Sequence, residues 1–245
     1  MEKIKMDFDK ENYTNKKKEL KFYLKCLNAT YSIEHEANLG TPYGSHFYSK
    51  FSGYNYDLGD FIVILKSNTY LMIYNMVEST TRELIAHIYD EVNESSLHYQ
   101  EINDQLQILW KNYHFHKIDS EINASSQTFM DTANKMIDEI FNENSIHFND
   151  EDIVLSGDAD LKSISKLFNL HGIQLNKRTT KVYKSELWSI KNSRNSLAHG
   201  DQSFIKLGRD TTIADLKNTT NHIFNFLEYL IRMTNRLILK GYFQK

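Results

Sequence analysis

Along most of this 245-residue chain, apolar residues recur at intervals of three and four, while alternation at every second position is brief. That period predicts an all-α protein built as a helical bundle. The predicted helices cover about 15–38, 60–93, 97–117, 126–142, 158–171, 181–199 and 212–242. Between the first two, the stretch 39–57 combines Gly40, Pro42, Gly44 and Gly53 with several aromatic residues and reads as a structured loop. Two helix ends carry their own signals. Thr212 followed by Asp215 has the spacing of a capping box that would open the last helix, and Gly200 stands where a helix ending at His199 would want a left-handed residue.

The second predicted helix is apolar around much of its circumference, through Phe61, Ile62, Ile64, Leu65, Leu71, Met72, Ile73, Met76 and Val77, so it should lie at the centre of the bundle. At about 100° per residue, Asn68, Asn75, Glu78, Ser79 and Arg82 fall within roughly a third of a turn. Such a stripe is either an ordinary solvent-facing or hydrogen-bonded face, or the border of a polar site shared with another helix, with Glu78 and Arg82 on its edge.

On the helix predicted at 181–199, Tyr183, Leu187, Ile190, Arg194 and Leu197 follow alternating spacings of four and three, which puts Arg194 on the apolar seam. A guanidinium belongs there only with a partner. Trp188, Asn192, Asn195 and His199 form a different line, so Asn195 and His199 are neighbours one turn apart. Arg194 and His199 themselves lie about 140° apart on an ideal helix. Bringing them together requires either that the last turn unwinds at Gly200 or that two copies pack these helices against each other. The second option predicts a homodimer.

Composition narrows the possibilities. A single proline and nine glycines leave little room for a linker, so the chain is read as one domain over 1–245, with an N-terminal helix and structured loop to residue 59 and a core from 60 onward. The lone Cys26 excludes an internal disulfide framework and a cysteine-based zinc site, and points to a reducing, cytoplasmic setting. The N-terminus lacks the apolar core of a signal peptide and no segment has the length of a membrane helix, so no membrane association is expected. With 29 basic against 32 acidic residues, polyanion binding would have to rest on a local site. The run Lys16-Lys17-Lys18 is one such patch, although a charge run on a helix is more often a solvated face.

No metal or cofactor is expected either. The rings of His114 and His116 would point about 200° apart on a helix, and no phosphate loop, dinucleotide fingerprint or nucleophile elbow occurs. Trp110, Trp188 and the tyrosines are read as core rather than as base-stacking platforms.

The residues with the most chemistry are Ser193-Arg194-Asn195-Ser196-Leu197-Ala198-His199-Gly200. With four to six intervening residues allowed, an arginine followed by a histidine arises by chance on the order of 0.7 times in a chain of this composition. Arg82 and His87 repeat the spacing inside a long helix, without the adjacent asparagine or the following glycine. Context adds specificity. Asn68 to Glu91, the Leu155-Ser156-Gly157-Asp158 turn with its following helix, and Ile190 to Asp215 occur in an order and spacing that resemble the HEPN superfamily (higher eukaryotes and prokaryotes nucleotide-binding). The resemblance is to its small stand-alone bacterial branch with an arginine-x4-histidine motif, associated with genome-defence loci, and with the closing helix it spans most of residues 60–242.

The resemblance implies an α-helical bundle that dimerises around the motif helix and cleaves RNA without a metal, as a toxin or defence effector. It implies Arg194 and His199 as the catalytic pair with Asn195 beside them, and Glu78 and Arg82 as second-tier site residues. The chemistry suits these residue types: attack by a ribose 2′-hydroxyl needs proton transfer, here by His199, and stabilisation of phosphorane charge, here by Arg194. Some HEPN toxins carry a tyrosine two residues after the histidine, which a partner nucleotidyltransferase modifies; this chain has Asp201 there. Asp201 argues against that antitoxin pairing, and with no fused nucleotide-sensing or nucleotidyltransferase segment in the 245 residues, any trigger or inhibitor is expected to be a separate molecule. The competing expectations are a non-catalytic dimer that binds RNA, nucleotide or a defence protein, and a toxin-neutralising interaction protein. In the purely structural alternative, Arg194 pairs with Glu78 and His199 caps its helix.

Overall fold

A computed structural model describes residues 8, 10–51, 56–119, 126–155 and 157–245; Gly53 of the predicted loop and Ser156 of the predicted turn lie outside them. The described residues are helical with no strand among them, apart from isolated bridges between His98 and Ser145 and between Ile102 and Gln244.

The first helix, α1 (Lys10–Asn38), places Tyr13, Leu20, Leu24 and Leu27 on one buried face, as their spacing of seven, four and three requires. Then come α2 (Pro42–Ser49) and the 37-residue α3 (Leu58–Glu94). A capping box starts α3, in which the Asp57 carboxylate accepts from the Asp60 N–H and Asp60 reaches back to the Asp57 N–H. The chain continues through α4 (Asp104–Asp119), α5 (Ser126–Phe141), α6 (Leu161–Leu170) and the single turn α7 (Lys177–Thr180). It ends with the motif helix α8 (Lys184–Ala198), short α9 (Phe204–Arg209) and α10 (Ile213–Leu239), which the predicted Thr212–Asp215 capping box opens.

As its apolar pattern predicts, α3 is the axis of the bundle, packed by α1, α8, α9 and α10. Ile73, Val77, Leu84 and Ile88 of α3 meet Trp110 of α4, Phe168 of α6, Ile190 of α8 and Phe226 of α10 in one core. Each such side chain contributes roughly 1.5–3 kcal/mol by leaving water. Within this core His171 is fully buried, its Nδ1 2.7 Å from the Leu167 carbonyl oxygen and its Nε2 2.7 Å from the Tyr89 hydroxyl. A carbonyl can only accept, so Nδ1 carries the proton and Nε2 accepts from Tyr89, which in turn accepts from Tyr113 at 2.8 Å. Two lysines of the basic run are structural ties rather than a free patch: Lys16 bonds Ser79 and Glu83 of α3, and Lys17 pairs with Glu228 of α10.

Two expectations need correction. The stretch 39–57 is not wholly a loop, because Pro42–Ser49 is helical; proline is favoured at a first helical position, and the Thr41 hydroxyl accepts from the Gly44 N–H. The helix predicted from 97 starts instead at Asp104, where the Asn103 carbonyl side chain accepts from the Leu106 N–H. Residues 97–103 form a turn whose Ile102 bridges to Gln244 and whose Asn103 N–H donates to the Phe243 carbonyl, tying the start of α4 to the chain's end. The short helices α7 and α9 lie outside the predicted set. No helix among the described residues is long and apolar enough to cross a membrane.

Candidate active site

The seam of α8 falls as its spacing predicts, with Leu187 and Ile190 buried against the core and Arg194 half-buried beyond them. The guanidinium lies over the ring of Tyr74 on α3, 4.8 Å from its centroid, and its Nη1 donates to the Asn195 carboxamide oxygen at 3.0 Å. The partner that the apolar seam demands is therefore an aromatic face and a neutral oxygen. The Arg194–Glu78 ion pair of the structural alternative is absent among the described residues. Glu78 instead accepts from the Gly157 N–H at 3.3 Å.

Gly157 has a φ of +69°, and a Cβ built there would stand 4.0 Å from Arg194 Nη1. The turn that holds it is anchored from three sides. The Tyr74 hydroxyl accepts from the Ala159 N–H, Lys191 of α8 bonds both Asp158 at 2.7 Å and Asp160 at 3.0 Å, and the Arg82 Nη1 donates to the Ile153 carbonyl at 2.8 Å. Charge follows the contacts. The hydrogen bonds that Lys191 donates to Asp158 and Asp160 raise its pKa. Although burial opposes it, the Ser163 N–H and Lys191 hold Asp160 below its usual range. Burial pushes the Tyr74 phenol up, so its ring is neutral beneath the guanidinium.

His199 is placed differently. Its backbone N–H still donates to the Asn195 carbonyl at 2.9 Å, it is exposed at the C-cap of α8, and the left-handed turn begins only at Gly200, φ +76°. The helix does not unwind before the histidine, so the first of the two ways of joining Arg194 and His199 is not taken. Trp188, on the same line of α8 as Asn195 and His199, is 60% exposed, so both ends of that line face outward while Asn192 and Asn195 between them are half-buried.

Of the five site residues named from sequence, Arg194, Asn195 and Glu78 border one seat. Arg82, one turn further along α3, bonds the Ile153 carbonyl ahead of the turn, and His199 is the exposed C-cap of α8. Tyr74, Gly157 and Lys191 join them. Tyr74 and Gly157 lie within the blocks that carry the resemblance, but their roles depend on contacts across more than 70 residues. The second arginine-histidine pair at this spacing makes structural contacts, with the Arg82 Nη1 on the Ile153 carbonyl and the His87 ring 5.8 Å from that of Phe8. His114 packs edge-on against Trp110, and the side chain of His116 lies outside the described parts.

Three segments distant in sequence thus meet at one arginine: α3 at Tyr74 and Glu78, the turn at Gly157 and the motif helix. A family model described as MAE_28990-like HEPN matches residues 6–242. The chain belongs to the HEPN superfamily. No curated protein and no solved structure matches it significantly. The HEPN match takes in α1 and α2 as well as the region from residue 60.

Proposed function

We propose that this HEPN protein is a metal-independent endoribonuclease that works as a homodimer and serves as a toxin or effector in bacterial defence. The observation that carries the reading is the seat of Arg194: a half-buried guanidinium held in place by Tyr74 and Asn195, with no carboxylate within ion-pair distance among the described residues. A cation positioned on neutral groups keeps its charge available for a phosphate.

In the proposed reaction the ribose 2′-oxygen attacks the adjacent phosphorus, and the phosphorus–O5′ bond breaks. His199 exchanges the protons, taking one from the 2′-hydroxyl or giving one to the departing O5′. Arg194 binds the phosphate as charge builds on it, and Asn195 orients the guanidinium. The products are a 2′,3′-cyclic phosphate and a 5′-hydroxyl. The exposed Trp188 and His199, at the two ends of the line that runs through half-buried Asn195, support pairing of two α8 helices, which would supply the histidine from the second chain.

The test is cleavage of labelled tRNA and unstructured RNA in EDTA, comparing the wild type with Arg194→Ala and His199→Ala at equal dimer content. Cutting is expected for the wild type and to fall by at least about 100-fold in both variants. Tyr74→Leu, which removes the aromatic face, should cost roughly 3- to 30-fold. Wild-type cleavage no greater than that of the variants, with RNA or a protein partner still bound, would overturn the nuclease reading in favour of a regulatory binding module.

A further inference from the structure

For an acidic protein, the groove between α1 and α10 carries an unexpected charge. One hollow of about 540 Å³ is lined by Lys10, Lys17, Lys18 and Lys21 of α1 and by Arg232 of α10. A second, of about 310 Å³, shares Lys21 and adds Lys25 and Lys217. Their acidic lining is Glu228 alone, and it is already engaged by Lys17 and, at 3.9 Å, by Arg232. Glu11 and Glu19, the nearest acids of α1, line neither hollow.

The arrangement is a helical face rather than a cluster. Lys10, Lys17, Lys18, Lys21 and Lys25 recur on one side of α1 at helical spacing, and at 1.5 Å per residue they extend about 22 Å along it. All but Lys17 are exposed. Lys17 and Lys21 lie over the ring of Phe224, at 4.9 and 5.8 Å from its centroid, which steadies the middle of the row. Lys217 is fixed from α10 by a 2.9 Å bond to the Asn28 side chain.

We infer that this groove is a track for the phosphate backbone of RNA, a second binding surface apart from the Arg194 seat. The inference rests on the RNA reading of the protein, but not on cleavage. An extended row of cations on a sparsely acidic floor matches a linear polyanion, whose counterions each phosphate contact releases. The apolar residues of the floor, Tyr13, Leu24, Phe224 and Ile231, are buried. The groove therefore offers neither the exposed apolar face that inserts into a lipid surface nor a pocket for an aromatic anchor of a protein partner.

The experiment measures binding separately from cutting. Fluorescence anisotropy of the full-length protein is recorded against a 2′-O-methyl RNA of about 30 nucleotides, which cannot undergo 2′-hydroxyl attack, over a series of salt concentrations. The triple variant Lys18→Gln, Lys21→Gln, Lys25→Gln is compared with Lys135→Gln, Lys162→Gln, Lys166→Gln, which removes the same charge from exposed positions on α5 and α6. The groove variant should bind roughly tenfold or more weakly near about 150 mM salt, with a salt slope shallower by about 2, while the control stays within about twofold of wild type. Equal effects of the two triples, or no RNA binding by the wild type, would overturn the proposal. So would tighter binding to phosphatidylserine vesicles or polyglutamate that depends on the same lysines. Wild-type binding without cleavage of ordinary RNA would sink the nuclease reading and leave the groove standing.

Discussion

His171 shows how a single side chain can set the acid limit of the fold. Its ring is buried and uses both nitrogens, donating to Leu167 and accepting from Tyr89, and burial pulls its pKa from 6.5 down to about 4. Protonation would place a second N–H against the Tyr89 hydroxyl, which would have to turn its own proton away and disturb the bond from Tyr113. Because the folded pKa lies below the unfolded one, the stabilisation is complete above about pH 6.5. It is lost as the pH falls towards about 4, by up to roughly 3 kcal/mol. Urea unfolding at a series of pH values should follow that loss, and His171→Gln should flatten the dependence across the same window while lowering stability throughout. An unchanged slope in the variant would assign the acid sensitivity to other groups.

The elements show where close approach matters more than side-chain chemistry. α9 begins just after the motif helix ends, and it packs on α3 through Gly208. A Cβ there would stand 2.2 Å from the Val63 carbonyl oxygen and 2.8 Å from Ser67 Oγ. The contact is reinforced by the Ser67 hydroxyl, which donates to the Phe204 carbonyl. Neither neighbour of that Cβ is the end of a flexible chain, so Gly208→Ala must push the two helices apart. We expect it to cost at least about 2–3 kcal/mol in chemical unfolding, whereas Ala at Gly200, which faces open space at positive φ, should cost about 1 kcal/mol. Equal losses would show that α9 gives way easily.

Nothing in the sequence around Gly208 marked this contact, because its partner lies some 140 residues earlier. Features written locally were legible: the capping box at Thr212 and Asp215, the left-handed Gly200, the central α3 and the seam carrying Arg194. The proline-led helix at Pro42 was hidden by residues that also make loops. The Tyr74 seat was hidden because an aromatic on a core helix gives no sign that a distant arginine will rest on it. Lys16 and Lys17 read as one charged run, yet they tie α1 to two different helices.

At the scale of the whole molecule, Arg194 and His199 present an arithmetic problem that one chain does not solve. α8 is regular through Ala198, the His199 N–H keeps its bond to Asn195, and Arg194 turns inward onto Tyr74 while His199 stays exposed. If the working pair is an arginine from one chain and a histidine from the other, two inactive variants can complement each other. Arg194→Ala and His199→Ala protomers, mixed and allowed to exchange, would form heterodimers with one intact pair and one doubly broken pair. With random exchange, half of the dimers are mixed and each has one of its two sites, so about one quarter of wild-type cleavage should return. A pair working within each chain would give no recovery, because every protomer in the mixture lacks one member. A covalently linked Arg194→Ala/His199→Ala tandem dimer removes the dependence on exchange and should reach about half of wild type. Failure of that tandem, alongside an active wild-type tandem, would place arginine and histidine in the same chain and require the end of α8 to rearrange when RNA binds.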